Sequence, residues 1–459
     1  MAEILNQMNC FVWGFPALIL IVSVGIYLSL RTGFAQVRLF PKALQLFVHH
    51  LQIRKGKNRT RSSYTSLCTA LAATVGTGNL AGVAGAISIG GPGAIFWMWI
   101  CAILGMITKY TEAVLAVRYR VRNNSGEWVG GPMYMIRQGI GEKWRWLAGV
   151  YSFFGVVASF GVGNATQINA VIGGINSVLT SMGKSESRAG NLIMGSILCV
   201  MITTMLLGGA SRIGRTAERL VPLASILYIL MSLGVLIVKL DAVPEALKSI
   251  VWGAFSPRAV TGGMFGSAFQ ALRVGTSRGI FTNEAGMGTA AIAHASADVS
   301  HPAEQGMMGL VEVFLDTIVI CTFTALVILC SGVKIPYGSD IGITLTSQAF
   351  SIVYGNWVRI PLAICLCCFA FATVLGWGLY GARCAQYLFG DGVWKKFVIL
   401  QGITVLVGAL LKTGTVWMLA EMVNGLMAIP NLLALAWLSP EVARQTTAYY
   451  RILKRRKSN

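Results

Sequence analysis

The chain has 459 residues, 55% of them hydrophobic and only 12% charged, with a mean hydropathy of +0.67. A soluble chain carries about twice that charged fraction, so the composition excludes soluble domains, disorder and a secreted disulfide scaffold and puts the apolar surface in lipid. The 37 Lys and Arg against 17 Asp and Glu leave a net charge of +20, which fits either nucleic-acid binding or positive charge held at one membrane face.

A spanning helix takes roughly 20 mostly apolar residues. Phe11 to Leu30 is an uncharged run closed by Arg31. With no basic region before it and no small-residue cleavage site after it, it reads as a span and not a signal peptide. Ser62 to Thr108 holds 47 residues without a charge, divided by Gly90-Gly91-Pro92-Gly93 into two predicted helices joined by a tight turn. Further spans are predicted at 147–179, 190–211, 219–239, 265–295, 306–332, 359–383, 396–413 and 416–438, which makes eleven. Ile341 to Val358 is uncharged but rich in Ser, Thr, Gln, Asn and Gly, and reads as a loop with a short helix.

With eleven spans, 26 of the 37 basic residues fall on one side, in the first loop, the loops after spans 3, 5 and 9, and the C-terminal tail. The positive-inside rule then predicts an outside N-terminus and a cytoplasmic C-terminus in a bacterial inner membrane. A twelfth span at 341–358 would expel the basic tail. The charge excess is therefore a topology signal, and no soluble basic face with interleaved aromatics argues for nucleic acid. The tail and the 54–61 run are placed to meet anionic headgroups.

Catalytic constellations are absent from the sequence. The ten cysteines show no paired metal spacing, and Cys365, Cys367 and Cys368 lie inside a span as small hydrophobes. The histidines His49, His50, His294 and His301 are predicted at helix ends or in cytoplasmic loops, without a metal motif. There is no phosphate-binding loop, and the glycine-rich stretches do not follow a soluble strand. The chain reads as no enzyme, with no cofactor and no obligate protein partner.

Two spans carry features that a plain helix avoids. Gly76-Thr77-Gly78-Asn79 lies near the centre of span 2. Each interior Gly costs about 1 kcal/mol against Ala in water, and unwinding in hydrocarbon is tolerated only against protein or a polar cavity. N–H groups of the second half-helix suit a carboxylate, and carbonyls ending the first half suit a cation. The competing reading is small-residue packing at Gly78 and Gly82. Span 7 opens with a similar stretch, Gly275 to Thr289, containing Arg278, Asn283 and Glu284. The two breaks stand five spans apart. Five is odd, so two five-helix units enter the membrane from opposite faces, the pattern of an inverted repeat with substrate near the midplane. The predicted organisation is an extra helix and basic loop at 1–61, a first repeat at 62–239, an external connection at 240–264, a second repeat at 265–438 and a basic tail at 439–459.

Ionisable residues within spans are few: Lys109, Glu112, Glu284, Glu312, Asp316 and Glu421. Such groups face the interior or a pathway. Lys109 and Glu112, three apart, read as a pair on one helical face. Glu284 near Arg278 reads as a gate pair or an anchor. Glu312 and Asp316 are i, i+4 and of like charge, so one of them needs a cation or a proton; with Arg278, Asn283 and Glu284 they form the candidate gating and coupling group. Polar positions on span 4 (Asn164, Thr166, Gln167, Asn169) and Thr373 with Trp377 on span 9 read as the far wall of a small cavity. The competing readings are a Thr373 hydroxyl bonded to its own i−4 carbonyl and plain packing of Trp377.

Several stretches resemble the alanine or glycine:cation symporter family, the sodium:alanine symporters. They are Gly90-Gly91-Pro92-Gly93-Ala94-Ile95-Phe96-Trp97-Met98-Trp99, running on to Lys109-Tyr110-Thr111-Glu112; Thr77-Gly78-Asn79; Gly130-Gly131-Pro132-Met133-Tyr134; Asn283-Glu284-Ala285-Gly286; Leu315-Asp316-Thr317; and Ala428-Ile429-Pro430-Asn431. The resemblance covers essentially the whole chain. It implies an all-α membrane protein with a leucine-transporter-type core of inverted five-helix repeats, two broken helices, sodium coupling and a small neutral amino acid as substrate. Carried onto this chain, it implies substrate binding at Thr74, Gly76, Thr77, Gly78, Asn79, Gln167, Thr373 and Trp377, and sodium binding at the Ala72 and Val75 carbonyls and the Thr373 hydroxyl. Trp377 and Phe371 are expected to limit the substrate's size. The function expected is sodium-driven uptake of alanine or glycine, with proton-coupled symport and a non-transporting membrane sensor as rivals.

Overall fold

The computed structural model describes residues 15–52, 63–255, 268–339, 341–410 and 413–458. The start of the first predicted span, the basic 54–61 run, residues 256–264 of the external connection, residues 265–267 at the start of the seventh predicted span and Lys412 lie outside the described residues, as does the side chain of Glu421.

Among the described residues the chain is almost wholly helical. The helices are α1 (Phe15–Arg31), α2 (Phe40–Gln52), α3 (Ser63–Thr74), α4 (Gly78–Gly90), α5 (Gly93–Arg118) and α6 (Glu142–Thr180). Next come α7 (Arg188–Leu207), α8 (Gly209–Val238), α9 (Val243–Phe255), α10 (Ala268–Asn283) and α11 (Thr289–His294). The last are α12 (Pro302–Cys330), α13 (Ile343–Tyr354), α14 (Arg359–Phe389), α15 (Trp394–Leu410) and α16 (Thr413–Ser458). A short antiparallel hairpin, β1 (Val121–Arg122) with β2 (Trp128–Val129), closes the loop after α5.

Among the described residues, eight helices are long and apolar enough to cross a membrane, and α3 with α4, bent by 52°, makes a ninth span if taken as one. The first predicted span begins in residues outside those described, its described part being the apolar helix α1, and the seventh is divided into α10 and α11. Elsewhere the uncharged runs coincide with helices. Helix α4 stops at Gly90, Gly91 turns with φ +74, and α5 starts directly after Pro92. Helix α13 occupies the stretch read as a loop with a short helix. Helix α16 departs from expectation, because it continues through the tail to Ser458 despite Pro430 and Pro440.

Lipid-facing and core helices differ in burial. Only 17% of the apolar stretch of α7 is buried, against 83% for α5. Leu192, Ile193, Ile197 and Val200 on α7 are exposed, as required of a surface solvated by lipid rather than water. Helix α5 packs against α10, α12 and α9, while α14 packs against α3, α6 and α8. These contacts enclose the two discontinuities, between α3 and α4 and between α10 and α11.

Candidate transport site

At the first discontinuity the hydrogen-bond ladder is broken by a side chain. The Gly76 N–H donates to Asn79 Oδ1 (2.9 Å) rather than to the carbonyl four residues back, Ala72. From Gly78 to Gly82 the chain makes a widened π turn, a feature frequent at functional sites. Similar turns lie at Gly161–Ala165 within α6 and Phe314–Cys321 within α12.

Helix α14 closes on this break. A Cβ placed on Gly76 would stand 2.7 Å from Thr373 Oγ1 and 3.4 Å from Gln167 Oε1, so Gly76, Thr373 and Gln167 converge on one point. Thr373 donates to its own Phe369 carbonyl (3.0 Å), which leaves its lone pairs toward Gly76. Gln167 Nε2 donates to the Val162 carbonyl (3.2 Å). Both Gln167 Oε1 and Thr77 Oγ1 are buried without a hydrogen-bond partner. A buried unpaired polar atom costs about 1–3 kcal/mol, so these two are placed for something the fold itself does not supply. Thr74 is tied to its own helix through the Ala70 carbonyl (3.4 Å). Gly78 faces Thr282 and Phe281 of α10. Phe371 lies about 200° round α14 from Thr373 and packs with the apolar cluster around Ile168 and Ile172, away from Gly76.

The acidic residues form three distinct arrangements. Asp316 is fully buried; Oδ1 accepts from Asn79 Nδ2 (2.7 Å) and Oδ2 from the Thr317 hydroxyl (2.8 Å). Asn283 donates to Thr317 (3.2 Å), linking both discontinuities through α12. Glu284, at φ +54, accepts from Trp377 Nε1 (2.7 Å) and Thr289 Oγ1 (2.6 Å), which ties it to α14 and α11. Arg278 is half-buried a turn and a half earlier. Trp377 sits on Gly163, where a Cβ would fall 2.2 Å from its own Cβ.

Lys109 and Glu112 do not pair as predicted. The Lys109 ammonium lies 3.2 Å from Glu312 Oε1 across the α5–α12 interface. Glu112 Oε1 instead accepts from the Gly286 and Gly288 N–H groups (3.0 Å each) and Asn431 Nδ2 (2.8 Å). A neighbouring helix brings an opposite charge closer than a flexible pair on one helix does, and the N–H groups between α10 and α11 need an acceptor. His294, predicted at a loop or helix end, is fully buried against Glu312 Oε2 (2.8 Å). Asn431, Thr317, His294 and Gln305 join these arrangements without any local pattern that marks them as site residues; Asn431 and Thr317 lie in stretches that resemble the symporter family.

A polar cavity of about 550 Å³ lies beside α3, lined by Thr65, Thr69, Ser211, Glu218 and Arg383 among others. It opens on the face bearing the loops after spans 3, 5 and 9. At the opposite end Thr346 of α13 donates to the Leu80 carbonyl (3.0 Å), covering the break.

All 459 residues match the model of the sodium:alanine symporter family. The chain belongs to this family. A sodium/alanine symporter, AgcS of Methanococcus maripaludis, is 40% identical over 100% of this chain and 99% of its own. An uncharacterized transporter of Haemophilus influenzae is 41% identical over 98% of this chain and 97% of its own. The fold matches the crystal structure of MhsT in complex with L-phenylalanine with a TM-score of 0.59, at 15% identity, over 86% of this chain and 99% of that one. This sodium:alanine symporter family member is a multi-pass membrane protein and a secondary transporter, not an enzyme.

Proposed function

We propose that the protein is a sodium-coupled symporter that carries a small neutral amino acid, alanine or glycine, into the cell by alternating access. The observation that carries this is the convergence of Gly76, Thr373 and Gln167 at the α3–α4 break, with Gln167 Oε1 and Thr77 Oγ1 buried and unpaired. The N–H groups opening α4 hold the substrate carboxylate. The unpaired oxygens take its remaining polar groups, and the space beside Gly76 admits only a small side chain. Trp377 forms one wall. The Ala72 carbonyl, released by the turn of Gly76 toward Asn79, joins the Val75 carbonyl and the Thr373 hydroxyl around sodium. A 40%-identical relative that is a sodium/alanine symporter supports this assignment.

The two discontinuities and the charge count support inverted five-helix repeats spanning eleven times, with the N-terminus outside and the C-terminus in the cytoplasm. The polar cavity is then the inward vestibule, and α13 covers the outer side.

Proton coupling is the second reading, favoured by one observation. Asp316 is fully buried and has no ion-pair partner among the described residues. Liposomes containing the purified protein decide between the two. An imposed sodium gradient is expected to accumulate labelled alanine, with unlabelled glycine competing. Uptake driven by a pH gradient in sodium-free buffer would overturn sodium coupling, and binding without accumulation would identify a sensor.

A further inference from the structure

A line of buried polar groups runs from Lys109 to the start of α3 without touching the site at Gly76. Glu312 divides its oxygens between the Lys109 ammonium, 3.2 Å from Oε1, and His294 Nε2, 2.8 Å from Oε2. An ionised carboxylate only accepts, so His294 Nε2 carries a hydrogen. The other ring nitrogen, Nδ1, faces Gln305 Nε2 at 2.6 Å. Ser63 sets which end of the Gln305 amide points there. Its hydroxyl donates to Gln305 Oε1 (2.5 Å), and its carbonyl lies 3.5 Å from Gln305 Nε2. A reversed amide would set its oxygen against both His294 Nδ1 and that carbonyl. Gln305 therefore presents N–H, and His294 Nδ1 must accept. A second hydrogen on the ring would leave two N–H groups facing each other.

His294 meets Glu312 and Gln305 from α12 and is linked through Gln305 to Ser63 of α3. Beyond Glu312 stands Lys109, which also feels Glu112 and Glu284.

We propose that Gln305 is a positioning residue: it holds His294 as the neutral Nε2–H tautomer and so keeps Glu312 a fixed charge, closed to a travelling proton. The proposal rests on the symporter reading only for its consequence, that Glu312 is not the group that couples transport to an ion.

The test is nitrogen NMR of the full-length protein in lipid nanodiscs at neutral pH, labelled at histidine, with His294 assigned by loss of its signals in His294→Gln. The expected wild-type spectrum has a protonated Nε2 and an unprotonated Nδ1. Gln305→Glu, which puts an acceptor against Nδ1, is expected to protonate both nitrogens, and Gln305→Leu to lose the single tautomer. A protonated Nδ1 in the wild type, or a wild-type pattern in folded Gln305→Leu, would overturn the proposal. If a variant fails to fold, the wild-type spectrum decides alone. Sodium-driven uptake is read separately in liposomes. Its absence beside the expected spectrum sinks the sodium reading and leaves the tautomer assignment standing.

Discussion

At the scale of single residues, the site depends on one missing methyl group. Gly76 lies where the chain leaves α3, and any Cβ there would come 2.7 Å from Thr373 Oγ1, inside van der Waals contact. Overpacking of this kind costs about 1–3 kcal/mol of stability, which a large membrane protein can absorb. Its effect on transport is expected to be larger, because the added methyl takes the volume assigned to the substrate and displaces the Thr373 hydroxyl assigned to sodium. Gly76→Ala is predicted to reach the membrane and keep most of its thermal stability in detergent, while alanine uptake falls at least tenfold. Uptake at the wild-type rate would remove the α3–α4 break from the substrate site.

Among helices, the connection between α10 and α11 is held from outside by Glu112. Gly286 and Gly288 adopt φ +93 and +76, a region that glycine enters without steric cost. Their N–H groups, with Asn431 Nδ2, all end on Glu112 Oε1. Glu112→Ala orphans the two buried backbone N–H groups and one hydrogen of Asn431 Nδ2, which keeps its bond to the Gly286 carbonyl; at about 1–3 kcal/mol per orphaned donor a loss of about 2 kcal/mol or more is predicted, read as a lowered unfolding temperature. Glu112→Gln keeps an acceptor oxygen and is predicted to lose clearly less. Equal losses would mean that the charge and not the hydrogen bonding holds the connection. This clamp shows what sequence could and could not disclose. Uncharged runs and the Gly90–Gly93 turn delimit helices because hydrophobicity and glycine act locally. That Lys109 meets Glu312 and leaves Glu112 to the 286–288 loop depends on which helices lie side by side, which spacing along one helix does not encode. His294 was equally hidden: a lone histidine beside alanines carries no local sign of a partner on α12. Phe371, two residues from Thr373 in sequence, is carried by the helical turn to another face, which closeness along the chain does not disclose.

For the whole molecule, charge and shape make one joint prediction. If the basic loops lie in the cytoplasm, the cavity lined by Thr65, Ser211 and Glu218 opens inward, while Thr346, fully buried on the inner face of α13, is closed to the other side. In a background with the native cysteines replaced, Ser211→Cys is predicted to react with a membrane-impermeant maleimide in inside-out vesicles and to stay unlabelled in intact cells. Thr346→Cys is predicted to resist the reagent from both sides in this conformation. Sodium and alanine together should slow labelling at position 211 if binding draws α3 and α8 together, since a ligand shifts a conformational equilibrium only by its differential affinity for the two states. Labelling of Ser211→Cys from outside intact cells would reverse the topology and with it the direction assigned to the vestibule. Labelling that is correctly sided but indifferent to sodium and alanine would leave the topology in place and count against alternating access through this cavity.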